Sequence, residues 1–130
     1  MDEQAVRAAL RHHLDHSGTD EDMAHEIYHA DATLEFPQSG ERFEGVHTFR
    51  EWRRRYPARV SYEVGRVRGS GAVWVAELLV RYDGGEPKFG VDVLEFRDGK
   101  VARETIYVAD GWPAPDWRAP WRAAPPPPSG

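Results

Sequence analysis

The chain has 130 residues, no cysteine, a formal net charge of −5, 40% hydrophobic residues and 30% charged ones. That is the size of one domain with a single core or a pocketed core, and it excludes disulfides, thiolate catalysis and zinc ribbons. The acidic balance argues against a nucleic-acid partner, and no apolar run is long enough to span a membrane. The Met-Asp-Glu-Gln start is too polar for a signal peptide, so a cytoplasmic protein is expected.

Residues 2–16 are predicted as an amphipathic helix, because Val6, Leu10 and then His13 or Leu14 recur at helical spacing. Ser17-Gly18 stops it. Thr19 is read as the N-cap of a second helix with acids in its first turn. That helix is expected to turn Met23, Ala24, Ile27 and Tyr28 inward and to end near His29. Residues 33–36 form a short strand stopped by Pro37, and residues 42–44 are its partner. A third helix over about 46–55 places Phe49, Trp52, Arg53 and Tyr56 on its inner side.

The pattern then changes to period two. Strands are predicted over 59–68, 72–82, 88–97 and 101–109, separated by Gly69-Ser70-Gly71, Asp83-Gly84-Gly85 and Asp98-Gly99. Tight glycine turns between four strands make an antiparallel meander. Helices first and strands last argue an α+β fold, with the helices on one sheet face. Residues 1–110 are therefore read as the domain and 111–130 as a Trp- and Pro-rich tail, its final prolines extended and disordered. The tail tryptophans, Trp112, Trp117 and Trp121, are expected to cover an exposed sheet edge or face. The sharper alternative is that they close a pocket or grip a second subunit.

Two features bear on chemistry. His25-Glu26-Ile27-Tyr28-His29 is literally the H-E-x-x-H pattern of zinc peptidases. On a helical wheel, however, both histidines fall opposite Ile27 and Tyr28 and face solvent, with no third ligand in place, so no metal is expected. The second feature is Asp92. It shares one strand face with Gly90, Leu94 and Phe96. A carboxyl in apolar company must find partners or keep its proton.

The order of elements, with HADATLEFP, FEGVHTFREW and VDVLEFRDGKVARETIYV in place, resembles the NTF2-like superfamily, specifically its SnoaL-like branch of polyketide cyclases and ketosteroid isomerase relatives. The resemblance covers about residues 2–110. It implies a cone-shaped fold, three N-terminal helices packed on a curved, mainly antiparallel sheet, around an apolar cavity. It also implies a homodimer through the outer sheet face. The fold hosts many chemistries.

The ketosteroid-isomerase pattern carries over in part. Its protonated oxyanion-hole acid matches Asp92, and its supporting tyrosine matches Tyr28. The position of its general base is Phe36, which cannot take a proton. Its first-helix tyrosine falls near Leu10, and its third-helix tyrosine near Arg53 or Trp52.

Matching the hairpin of that family implies that Glu104, Ile106 and Val108 share the face of Asp92, and Trp74, Ala76, Leu78, Val80 and Tyr82 would line it from the preceding strand. The functional reading is an Asp92/Glu104 pair with separated pKa values, supported by Tyr28. His13, Phe36, Trp52, Arg53, Trp74, Leu78, Ile106 and Val108 are read as ligand-binding. The structural reading of the same residues has Asp92 bonded to Tyr28 or Arg53 and Glu104 at an open rim. The expected ligand is a small apolar, polyketide- or steroid-like molecule, handled without a cofactor by isomerase-, cyclase- or dehydratase-like chemistry. The alternatives are a non-catalytic ligand binder or a protein-interaction domain that dimerises.

Overall fold

The computed structural model describes residues 1–127. Helix α1 (Glu3–His16) opens on Asp2, whose side chain accepts from the backbone N–H of Ala5 and caps a helix end. It buries Val6, Leu10 and His13. Helix α2 is only Glu21–Ala24, capped by Asp20 rather than Thr19, and runs into a 3-10 turn at His25–Ile27. Strand β1 (Tyr28–Phe36) and strand β2 (Glu41–Glu44) form a hairpin, followed by helix α3 (Val46–Arg54). Strands β3 (Val60–Ser70), β4 (Val73–Tyr82), β5 (Lys88–Arg97) and β6 (Lys100–Ala109) make the antiparallel meander.

The six strands form one curved, unclosed sheet in the order β2-β1-β6-β5-β4-β3. The β1–β6 pair is parallel, so the first strand returns to lie beside the last. Asp98 and Gly99 take φ values of 51° and 79°, as the tight β5–β6 turn requires. The inner face supplies the core: Leu34 from β1, Ala76 and Val80 from β4, Leu94 and Phe96 from β5, and Val101 from β6, against Val6, Leu10 and Phe49 from the helices.

Three expectations are corrected here. The helices do not all precede the sheet, because α3 is inserted between β2 and β3. The second helix ends at Ala24, and the backbone turns extended at Tyr28, φ −96° and ψ 148°. Helical phasing therefore fails beyond that point. Met23 is exposed, whereas His25 is buried at 3% exposure rather than facing solvent.

The tail does not cover the sheet. Its 3-10 segment (Asp116–Trp121) and the residues before it leave Trp112, Trp117 and Trp121 at 77%, 72% and 77% exposure. Pro128 to Gly130, part of the stretch expected to be extended and disordered, lie outside the described residues. No helix among the described residues is long and apolar enough to cross a membrane.

Candidate functional site

The curvature of the sheet against α1 and α3 leaves a cavity of about 950 Å³. Its wall includes Phe36 from β1, Trp52 and Arg53 from α3, Leu78 and Val80 from β4, and Ile106 and Val108 from β6. At its inner end lie His13, Asp92 and Glu104. Asp92 and Glu104 reach the same face because of register. Asp92 stands opposite Ile106, and Leu94 opposite Glu104, so the two acids are diagonal neighbours on adjacent strands. Both are almost wholly buried, at 4% and 2% exposure.

Two buried carboxyls side by side cannot both ionise without large cost. Burial, and then the charge of Glu104, raise the pKa of Asp92 well above the ordinary carboxyl value. Burial alone would do the same to Glu104. Its hydrogen bond with Asp92, the charge of Arg53 and the hydroxyl of Tyr28 outweigh burial and hold it below its usual value. Asp92 therefore carries the proton and Glu104 the charge. No donor of the protein reaches buried Asp92 Oδ1, which leaves the carboxyl's own proton to satisfy the contact with Glu104.

A polar shell fixes Glu104. The Tyr28 hydroxyl donates to Glu104 Oε1. Arg53 Nη1 donates to the Tyr28 oxygen at 3.0 Å and to His25 Nε2 at 3.1 Å. Arg53 Nη2 lies 3.8 Å from Glu104 Oε1. Burial works against the Arg53 charge, but Tyr28 and Glu104 more than offset it and keep the guanidinium protonated. Burial pushes the Tyr28 phenol up, so it stays a donor.

The two buried histidines are neutral. His13 Nδ1–H donates to the Ala24 carbonyl at 2.5 Å, which leaves the lone pair on Nε2. Burial, then Arg53, brings its pKa down to about 4. His25 Nδ1–H donates to the Glu21 carbonyl at 2.6 Å, freeing Nε2 to accept from Arg53. The same two causes bring His25 to about 4.

Most residues singled out in the sequence meet here. Tyr28, Asp92 and Glu104 form the polar cluster. Phe36, Trp52, Arg53, Leu78, Ile106, Val108 and His13 line the cavity. Trp74 lies outside that wall, in the core, with its indole N–H on the Gly71 carbonyl at 3.0 Å. Two partnerships differ from expectation. Tyr28 and Arg53 hold Glu104 rather than Asp92, and Glu104 is no rim residue.

Sequence reasoning missed His25 as the acceptor that orients Arg53, because the 3-10 turn broke the wheel. It also missed Tyr62, which lines the cavity from β3 opposite Val80. Strand alternation from Val60, which lines the same cavity, puts Tyr62 on the same face, so the signal was present in the sequence. His25 and His29 do not come together: His29 Nε2 contacts the Arg97 carbonyl instead. Among the described residues no group of three or more His, Asp or Glu is arranged to hold a metal ion.

The chain was compared with known proteins. The family model described as the SnoaL-like domain matches residues 4–104. An NTF2-like protein of unknown function from Burkholderia xenovorans is 38% identical, with a TM-score of 0.85 over 95% of this chain and 98% of that one. A candidate ketosteroid isomerase from Kribbella flavida is 25% identical, with a TM-score of 0.78 over 95% of this chain and 92% of that one. An LEH-like epoxide hydrolase from M. tuberculosis shares the fold alone, at 22% identity and a TM-score of 0.65 over 81% of this chain and 82% of that one. No curated protein matches the chain. A family match across most of the sequence, joined to a close structural relative, makes this chain a member of the SnoaL-like family within the NTF2-like fold.

Proposed function

We propose that the protein binds a small apolar molecule in the cavity and performs acid–base chemistry on it, with Glu104 as base, Asp92 as acid and Tyr28 as positioning residue. The observation that carries this reading is the buried Asp92/Glu104 pair, shifted in opposite directions, at the inner end of a cavity of about 950 Å³. Two carboxyls whose surroundings separate their proton affinities can give and take protons at one pH. Arg53 and Tyr28 keep Glu104 ionised without leaving it in water. The isomerase, cyclase and epoxide hydrolase names among structures of this fold fit such chemistry, and no cofactor is called for.

The test uses benzoin, a neutral apolar α-hydroxyketone, in D2O. Exchange of its carbinol C–H above the buffer rate, lost in Glu104→Gln, is the expected result. Benzoin that binds without exchange would reduce the protein to a ligand binder. No binding would remove both halves of the reading.

A second reading concerns assembly. The outer sheet face exposes Val73, Phe89, Val91 and Tyr107, and the tail adds three exposed tryptophans. Apolar surface of this kind marks an association site. We propose that two copies pair through it. Light scattering at micromolar concentration should return twice the chain mass, and Phe89→Lys should return the monomer.

A further inference from the structure

The chain leaves its domain beside the outer sheet face. Lys88 and Asp110 form an ion pair just past the end of β6. Gly111 then runs so close to Phe89 that a Cβ there would lie 2.9 Å from the ring. Pro113 and Pro115 follow, and proline fixes φ in an extended range; Pro115 has φ −64° and ψ 137°. Such a stretch is a stiff spacer that gains about 3 Å per residue. Beyond it Asp116–Trp121 is a built turn. The Arg122 backbone N–H donates to the Ala119 carbonyl at 3.2 Å, and Arg122 Nη2 donates to the Pro115 carbonyl at 2.7 Å. Residues 111–122 thus form an arm with its own hydrogen bonds, yet Trp112, Trp117 and Trp121 stay in water.

The sheet that the arm leaves carries an uncovered groove of about 410 Å³. Val64, Leu79, Phe89 and Val91 line it, together with Glu63 and Glu77. Gly65 opens it, because it sits in the register shift of β3 between Val64 and Val67 and has no side chain to fill the gap. Glu77 is held by Arg66 and Arg68. Glu63 has no ion-pair partner among the described residues, and neither has Arg118, which follows Trp117 in the arm. One chain therefore carries an unfilled groove with a free acid and an uncovered indole with a free guanidinium. The proline spacer holds the two apart within that chain.

Resting on the pairing of two copies proposed above, we propose that the copies exchange arms. The arm of one lies on the outer face of the other, with the Trp117 indole in the groove and Arg118 on Glu63 of the partner subunit. A two-fold axis makes the contact reciprocal, so both grooves and both arms are satisfied at once. The three tryptophans of each arm, at about 150–250 Å² apiece, bring the buried area into the range of roughly 1,200–2,000 Å² of a stable complex.

The absence of cysteine makes the test clean. Two full-length single variants, Glu63→Cys and Arg118→Cys, are mixed and treated with a short bismaleimide. Mass spectrometry should find a cross-linked product holding one copy of each. Adding Trp117→Ala to the Arg118→Cys chain should remove that product. By light scattering, Trp117→Ala should weaken pairing at least about tenfold, as the loss of a buried aromatic anchor does. Truncation after Asp110 should leave single chains at a concentration where the full chain is paired.

No mixed product, or one that survives Trp117→Ala, would overturn the exchange. So would a chain carrying both cysteines that cross-links only within itself, since the arm would then lie on its own sheet. A truncated protein that pairs as well as the full chain sinks this inference alone and leaves sheet-on-sheet pairing standing. A full-length chain that scatters as a monomer removes the pairing reading as well.

Discussion

The two faces of β5 invert the ordinary placement of polar and apolar side chains. The inner face buries Asp92 at 4% exposure, in line with Gly90 and Leu94, while the outer face leaves Phe89 at 54% and Val91 at 37%. Inside, a carboxyl is kept from water beside a second one. Outside, an aromatic ring stays in water with the tail tryptophans also uncovered. Stability alone favours neither arrangement. The inner anomaly is chemical, since it sets two proton affinities apart. The outer one is the apolar surface that the proposed pairing of two copies would bury. The difference teaches that the two surfaces, each with a proposed role, are backed onto one strand and can be altered separately.

The largest effect should come from the inner face. Arg53→Ala removes the charge beside Glu104 and the donor to Tyr28 and His25. Stranding a buried ion in this way costs about 3–5 kcal/mol. Thermal unfolding should show it, and Arg53→Met with Glu104→Leu should restore much of the loss. Retention of the wild-type melting temperature by Arg53→Ala would mean that the cluster is solvated in solution.

Acid should act next. His13 and His25 are held down to about 4 in the fold against 6.5 in an unfolded chain. Between those values the unfolded state binds protons that the native state refuses, so stability is full above pH 6.5 and falls as the pH drops toward 4. A melting temperature flat across that window would contradict the burial of both rings.

Asp92 has the opposite sign. Its pKa is raised in the fold, so its contribution is greatest below the unfolded carboxyl range and is lost as the pH rises. Asp92→Asn should therefore stabilise the protein at pH 7 by about 1–2 kcal/mol, while abolishing turnover. Loss of both stability and activity would make Asp92 a structural acid.

Changes to the outer face should be milder for folding. Phe89→Lys should abolish the proposed pairing of two copies, read by light scattering, yet leave benzoin binding intact. Weaker binding together with dissociation would show that the two faces are coupled. Smallest of all, truncation after Asp110 should leave the stability of the monomer within about 0.5 kcal/mol, because the tail tryptophans are unburied in their own chain. A large drop would place them back on the sheet.

Much of the site was legible before any fold was seen. Asp92, Leu78 and Val80 share a face because strand side chains alternate and β4 and β5 pair without a break, whereas Glu104 and Ile106 reach that face only because a register shift between Glu95 and Phe96 separates them from the Asp98-Gly99 turn. His13 was legible from helical spacing. His25 was not, because a four-residue helix followed by a 3-10 turn carries too little periodicity to phase. The tail misled for a different reason. Large aromatic content predicts burial somewhere, yet it does not say whether the same chain provides the cover.

What the sequence determined by itself is what local chemistry governs: the α+β order, the meander with its turns, the apolar faces and the placement of an acid among them. The parallel return of β1 onto β6 was decided only by the tertiary structure, since it joins residues far apart in the chain. With that return came the partners of each polar group. Tyr28 begins β1, Arg53 comes from α3 and Glu104 lies in β6, and their meeting made Glu104 the ion and Asp92 the acid. No spacing along the chain encodes that assignment, because a buried proton goes where the surrounding charges and hydrogen bonds make it cheapest to hold.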